Sequence, residues 1–183
     1  IIQQAEASMK RLNKILNEPY EIQDSSLTDL SLKELKGEIE LRNVSFKYLD
    51  SLPDVLKDVN LKIPVGSTLA IVGHTGSGKT SLINLIPRLY DVTSGEIFID
   101  GKNVKDIPLD VLRTNVAVVQ QESFLFSDSV YGNLSYGLRE TDKQRVEEVS
   151  RIANFDKDVQ SFPNGYDTVV GERGITFSGG QKQ

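Results

Sequence analysis

The chain has 183 residues, a net charge of −5 and an apolar content of 38 %, enough for one domain of ordinary size with a core of its own. Its lysines and arginines are dispersed within an acidic balance, which argues against nucleic acid as a main partner. The lack of cysteine excludes a disulfide scaffold and thiolate metal sites and fits a reducing compartment. No run approaches the ~18–20 apolar residues that span a bilayer, and no secretory signal is present. The chain starts at Ile1 and stops at Gln183 inside a glycine-rich motif, so both ends are expected to be cuts in a longer protein.

Ile2, Ala5, Met9, Leu12 and Leu16 recur at three- and four-residue spacing and predict an amphipathic helix that ends before Pro19. Residues 19–36 are polar and mixed and read as a linker. Gly37 to Tyr48 alternates as a strand, with Ile39 and Leu41, then Val44, Phe46 and Tyr48, on one face. The phase slips by one between Leu41 and Val44, which predicts a bulge or a local twist. Val59, Leu61 and Ile63 alternate again before the turn Pro64-Val65-Gly66. Thr68-Leu69-Ala70-Ile71-Val72 is almost wholly apolar, the mark of a strand buried on both faces of a parallel sheet. A glycine loop follows, then Leu82, Ile83, Ile86 and Leu89 at helical spacing, with Pro87 expected to kink that helix or bring its end forward. Glu96 to Ile99 reads as a strand entering an Asp100-Gly101 turn. Val116 to Val119 reads as another short strand. Thr141 with Gln144 predicts a capping box for a helix bearing Val146, Val149, Ile152 and Ala153. A loop with Pro163-Asn164-Gly165 comes next.

The chemistry is concentrated at Gly73-His74-Thr75-Gly76-Ser77-Gly78-Lys79-Thr80, which fits the phosphate-binding loop G-x-x-x-x-G-K-[ST] and lies between a predicted strand and a predicted helix. That order sets backbone N–H groups and a positive helix end around an anion. The glycines let the chain wrap phosphates closely, Lys79 reaches the terminal phosphates, and the Thr80 hydroxyl is placed for magnesium. His74 has no visible partner for general-base work and reads as a solvated loop side chain. Gln120 and Gln121 follow the Val116–Val119 run, where a neutral amide can ligate magnesium or orient a water; a glutamine after a strand is also commonplace. Ser178, Gly179 and Gly180 could form a second anion nest or a plain turn, with a helix starting just afterward. Tyr48, near the end of its strand, could stack on a purine or be an ordinary strand aromatic.

Taken together, these segments resemble the ATP-binding domain of an ABC transporter of the exporter type. Phe177-Ser178-Gly179-Gly180-Gln181 looks like that family's signature motif, usually Leu-Ser-Gly-Gly-Gln, with phenylalanine in place of leucine. Gln121 matches the Q-loop glutamine, Tyr48 the A-loop aromatic that stacks on adenine, and Val55 an apolar residue beside the adenine. Thr168-Val169-Val170-Gly171-Glu172-Arg173-Gly174 is similar to the X-loop of exporters. The resemblance runs nearly continuously over residues 37–183, and the first helix looks like the extension of the last membrane helix.

The resemblance implies an α/β fold: a P-loop NTPase (ABC ATPase) core with an antiparallel β layer and a helical subdomain, its C-terminal part missing. It divides the chain into a helix at 1–18, the linker at 19–36, the β layer and P-loop core at 37–123, and the helical subdomain at 124–183. It implies ATP and Mg2+ as cofactors, with Thr80 and Gln121 toward the metal. Nucleotide contacts would come from Tyr48, Val55, Gly73, Thr75, Gly76, Ser77, Gly78, Lys79, Thr80 and Ser81. Two such domains would pair head to tail, so that Ser178, Gly179, Gly180 and Gln181 act in trans on the partner domain's ATP. The Gln121 loop, with Glu172 and Arg173, would meet the transmembrane domain at the cytoplasmic face of a membrane. Lys79 and Gln121 would serve catalysis, while the family's Walker B aspartate, catalytic glutamate and switch histidine would follow Gln183. The chain by itself is therefore expected not to hydrolyse ATP. Two further readings stand beside this one. A DNA-repair or chromosome-structure ATPase shares the loop and the signature but separates them by a long coiled coil and lacks the X-loop-like segment. A nucleotide-dependent regulatory module without turnover would differ only in losing the catalytic glutamate.

Overall fold

The computed structural model describes residues 2–121, 124–138, 142–171 and 177–182, without the side chains of residues 2–5 and 7. It divides into two compact units, Ile1–Ala117 and Val118–Gln183, which we describe separately.

In the first unit, helix α1 (Ile2–Leu16) matches the amphipathic spacing, and Met9, Leu12, Ile15 and Leu16 on it are exposed. Residues 17–38 have no regular structure, but acidic side chains pin them at several points. The Asp24 carboxylate accepts the backbone N–H of Leu109 at 2.9 Å. Asp29 pairs with Lys102, and its own N–H donates to the Asp106 carbonyl at 2.8 Å. The Asp100 carboxylate accepts N–H bonds from Lys36 (2.6 Å), Gly37 (3.1 Å) and Glu38 (3.0 Å). Leu32 and Leu35 pack against the core between these points.

The sheet is antiparallel with the order β2-β1-β3-β4, made of β1 (Ile39–Phe46), β2 (Leu56–Ile63), β3 (Ser94–Ile99) and β4 (Lys102–Asn103). The slip read between Leu41 and Val44 is a real irregularity: Leu41 opposes Leu61 and Val44 opposes Val59, so two β1 residues face one on β2. The Asn60 side chain closes the gap by accepting the Asn43 N–H at 2.9 Å. On the other flank Gly95, at φ +81°, approaches so closely that a Cβ would lie 2.3 Å from the Asn43 carbonyl oxygen. Only glycine fits there. Asp100 and Gly101, with φ of 52° and 77°, make the two-residue hairpin between β3 and β4 that their sequence predicts.

Helix α2 (Lys79–Leu85) stops two residues before Pro87, as the missing N–H of proline requires. It adds Leu82 and Leu85 to a core made by Leu41, Val44 and Phe46 of β1, Ile97 and Ile99 of β3, Ile107, and Leu112 of α3 (Leu109–Asn115). Ile83 and Leu89, expected on the same apolar side, are exposed.

Two expected strands are not strands. Thr68–Val72 is irregular and exposed along its length, with Val72 90 % exposed. Val116–Val119 is also irregular: Val116 caps α3 through its N–H to the Leu112 carbonyl, and Val119 is exposed. The physical reason is pairing. A parallel strand is buried only when neighbouring strands and covering helices flank it, and among the described residues no strand pairs with either segment.

The second unit is helical: α4 (Val130–Leu134), α5 (Lys143–Ile152), α6 (Asp156–Ser161) and α7 (Gly179–Lys182). Its core is Val130, Val159, Val170 and Phe177. The chain closes on itself through an isolated bridge between Ser129 and Val169, with Val130 N–H to Thr168 O and Val170 N–H to Asp128 O, each 2.9 Å. Helix α5 is capped by Asp142, whose carboxylate accepts the Gln144 N–H at 2.9 Å, one residue later than the expected Thr141, which lies outside the described residues. Of its expected apolar face only Val146 is buried; Ser150 shares that side, while Val149, Ile152 and Ala153 are exposed. Helix α6 and the short helix α4 carry too few apolar repeats to be read from periodicity.

Candidate functional site

The end of β1, the start of β2 and the first turn of α2 converge on one cavity of about 270 Å³ in the first unit. Tyr48, Val55 and the continuous run Gly76, Ser77, Gly78, Lys79, Thr80 and Ser81 line it. Six of these positions come from the glycine loop and its helix start; the aromatic follows β1 and the valine precedes β2. The close approach depends on Gly78. It has φ +86°, and a Cβ there would lie 2.9 Å from Leu56 Cδ2 and 3.0 Å from the Val55 carbonyl oxygen. A side chain at Gly78 would push the loop off β2.

Gly73, His74 and Thr75, at the outer part of the loop, are exposed. The Lys79 ammonium folds back over them and donates to the Gly73 carbonyl at 2.9 Å and the His74 carbonyl at 2.8 Å. These are charge-assisted bonds to acceptors of the kind a phosphate oxygen would replace. His74 Nδ1 lies 2.8 Å from the Thr75 carbonyl oxygen. At the other end, the Tyr48 hydroxyl lies 2.8 Å from Ser81 Oγ, and Ser81 is buried. Tyr48 itself stays 44 % exposed, so its ring is anchored but still accessible. The chemistry of this set fits a magnesium nucleotide: an accessible aromatic and a valine for a base, a cationic loop for phosphates, and the Thr80 hydroxyl for a hard cation. Among the described residues no carboxylate lines the cavity.

The remaining expected site residues belong to the second unit. Gln121 is exposed in an irregular segment. Ser178 and Gln181 cap α7 reciprocally: the Ser178 N–H donates to Gln181 Oε1 at 3.0 Å, and the Gln181 N–H donates to Ser178 Oγ at 3.3 Å. This is the serine–glutamine form of a capping box, so the helix opens on Gly179 itself rather than after the glycines. Gln181 Nε2 also donates to Asp158 Oδ1 at 2.6 Å, which ties α7 to α6. Gly179 and Gly180 are exposed. The phenylalanine at the head of this motif has a packing reason. Phe177 stacks on Phe162 at 5.3 Å and meets Phe155 edge-on at 5.8 Å, a ring cluster that a leucine would leave incomplete. Glu172 and Arg173 lie outside the described residues. Sequence reading missed Tyr90, whose ring packs against Tyr48; it sits in no periodic pattern that would have drawn attention to it.

Among the described residues no helix is long and apolar enough to cross a membrane. The family described as ABC transporter matches residues 56–183. Proteins of Staphylococcus aureus strains bovine RF122 / ET3-1 and NCTC 8325 / PS 47, named as multidrug export ATP-binding/permease proteins, are each 45 % identical to this chain over 171 residues. Those alignments cover 93 % of this chain and 29 % of each relative. The structure of a bacterial Atm1-family ABC exporter with ATP bound superposes with a TM-score of 0.88 at 31 % identity, covering 99 % of this chain and 31 % of that one. Motif order, fold and similarity thus agree, and the chain belongs to the ABC transporter family, in its ATP-binding domain of the exporter type.

Proposed function

We propose that this domain binds a magnesium nucleotide, ATP, in the cavity between Tyr48 and the glycine loop, and serves as the ATP-driven part of an exporter. The observation that carries the reading is the convergence of Tyr48, Val55 and Gly76 to Ser81 on one cavity, because the base-side and phosphate-side residues are distant in sequence. In this reading the Tyr48 ring stacks on the base and Val55 packs beside it. The loop residues Gly73, Thr75, Gly76, Ser77 and Gly78 wrap the phosphates, and Ser81 completes the turn. Lys79 exchanges its bonds to the Gly73 and His74 carbonyls for phosphate oxygens. Thr80 would hold Mg2+, the resemblance assigning Gln121 to it as well, and the ion when bound would neutralise phosphate charge.

Ser178, Gly179, Gly180 and Gln181 act on the nucleotide of a second such domain in a head-to-tail pair. The Gln121 segment, with Glu172 and Arg173, meets a transmembrane domain at the cytoplasmic face of the membrane. Nucleotide shared between two domains favours their closed arrangement by its differential affinity, and that shift would drive the export cycle. Residues 1–183 by themselves are expected to bind nucleotide weakly and not to turn it over. What supports this is that among the described residues no carboxylate lines the cavity, and a general base typically contributes 10²–10⁴-fold.

Calorimetry with Mg-ATP tests the site: the unaltered protein binds, and Lys79→Ala weakens binding roughly tenfold to a hundredfold. Unchanged affinity in Lys79→Ala would remove the loop from the reading. Steady-state phosphate release by residues 1–183, abolished by Lys79→Ala, would overturn the claim that they do not turn over nucleotide.

A further inference from the structure

Three aromatic rings meet beside the cavity. Tyr48 stands edge-to-face on Phe46 (4.8 Å, 76°) and on Tyr90 (5.2 Å, 90°), and Phe46 and Tyr90 close the triangle at 5.6 Å. Phe46 is part of the buried core at the end of β1. Tyr90 reaches the cluster from the turn after α2, and that turn is unusually constrained. Arg88 is 6 % exposed, has φ +54°, and donates through Nε and Nη2 to the Asp91 carboxylate at 2.8 and 3.1 Å. Arg113 Nη2 donates to the Arg88 carbonyl at 3.1 Å. Tyr90 is thus flanked by two members of a bidentate pair, tied from behind by a third side chain.

From these contacts we propose that Tyr90 is a positioning residue for base recognition. It holds the Tyr48 ring at the angle at which its exposed surface meets the base. The inference rests on the nucleotide reading above and goes beyond it. A tyrosine two residues past a strand end would otherwise sample several rotamers, and ordering it on binding would lower affinity. Here the ring is ordered beforehand from three sides. Phe46 supports it from the core, Ser81 Oγ holds its hydroxyl, and Tyr90 sets its angle through the edge-to-face preference of aromatic quadrupoles. The Arg88–Asp91 pair acts one step further back by fixing the turn that carries Tyr90.

The test compares Mg-ATP with inorganic triphosphate and magnesium, by calorimetry on the intact protein that carries this domain. Triphosphate lacks a base and reports on the phosphate loop alone. Tyr90→Leu is expected to weaken ATP roughly two- to tenfold and to leave triphosphate unchanged, while Tyr90→Phe keeps both. In a Tyr48→Ala background Tyr90→Leu should have no further effect on ATP. Equal losses for both ligands would make Tyr90 a structural residue, and unchanged ATP affinity in Tyr90→Leu would remove its role. An undiminished loss in the Tyr48→Ala background would make Tyr90 a direct nucleotide contact instead. Failure of the unaltered protein to bind either ligand would overturn the site itself, and the positioning role with it.

Discussion

Strand β1 leads into Tyr48 and the segment Thr68–Val72 into the glycine loop, both of which line the same cavity, and the two are held very differently. β1 is paired on both edges, with β2 and β3, and buries Leu41, Val44 and Phe46. Thr68–Val72 is the more apolar of the two, yet it pairs with no strand among the described residues and leaves Leu69, Ile71 and Val72 exposed. Apolar character favours burial, but a strand is a relation between neighbours. β1 finds its neighbours within the next sixty residues, β2 across a hairpin and β3 after the stretch that carries the glycine loop and α2, whereas a parallel strand needs crossovers. The candidate site therefore has a firm wall, carrying Tyr48 and Val55, and a softer one, carrying the glycine loop.

Hydrogen exchange should show this contrast most strongly. Amides of β1 between Ile39 and Phe46 are expected to exchange only through large openings, on the order of the ~5–15 kcal/mol of global unfolding, while those of residues 68–72 exchange with almost no protection. Similar protection in the two segments would break the comparison. Side-chain truncation gives the next largest difference. Leu85→Ala, at a position 1 % exposed, should cost about 2–5 kcal/mol in urea unfolding, whereas Val72→Ala should stay within about 0.5 kcal/mol. On the ligand side, Tyr48→Ala should lower ATP affinity by up to roughly tenfold or more, and Tyr48→Phe by only a few-fold, through loss of its bond to Ser81. Equal losses in both would put the contribution in the hydroxyl rather than the ring.

The smallest expected effect is acid release of residues 24–38. The Lys102 ammonium bonded to Asp29, helped by Ser31, holds that carboxyl down at about 2. For Asp100, partial burial pushes the carboxyl upward, but the N–H bonds from Glu38, Lys36 and Gly37 together outweigh it and leave it below its usual range. Both groups are depressed in the folded state. Their contribution is thus complete above the ordinary carboxylate range near 4 and fades as pH falls from there toward 2. NMR shifts of the Gly37 and Glu38 amides should move across that window. Shifts that stay flat to pH 2 would mean that the carboxylates do not hold the segment.

What could be read from the residues follows the same division. β1 with its bulge, β2, β3, the Asp100-Gly101 turn and the early stop of α2 were legible because each is set by near neighbours in sequence: alternation, a two-residue turn, a proline. The contributions of Thr68–Val72 and Val116–Val119 were not, because apolar runs announce a need for partners without supplying them. At the candidate site, the loop was legible from its glycines and Lys79, and Tyr48 from its place after a strand. Tyr90 and the Tyr48–Ser81 bond were not, since they depend on how a constrained turn and a helix start meet in space. The capping role of Ser178 and Gln181 is visible in their three-residue spacing once a helix is known to start there.

The acid-pinned segment before β1 also decides how motion is conveyed. Between α1 and Asp24 there is only irregular chain, and the first fixed point is the Asp24 bond to Leu109 at the start of α3. Next come Asp29 on Lys102 and the three-pronged hold of Asp100 on residues 36–38. A pull on α1 is therefore delivered sideways to the β3–β4 hairpin and α3, spread over several polar attachments in series. Glycine loop and Tyr48 receive it through the sheet and through the core that α2 shares with α3. Such an arrangement behaves as a tether with a graded release: residues 17–23 extend first, and a stronger pull loads the Asp24 bond, then Asp29, then the Asp100 bonds in turn.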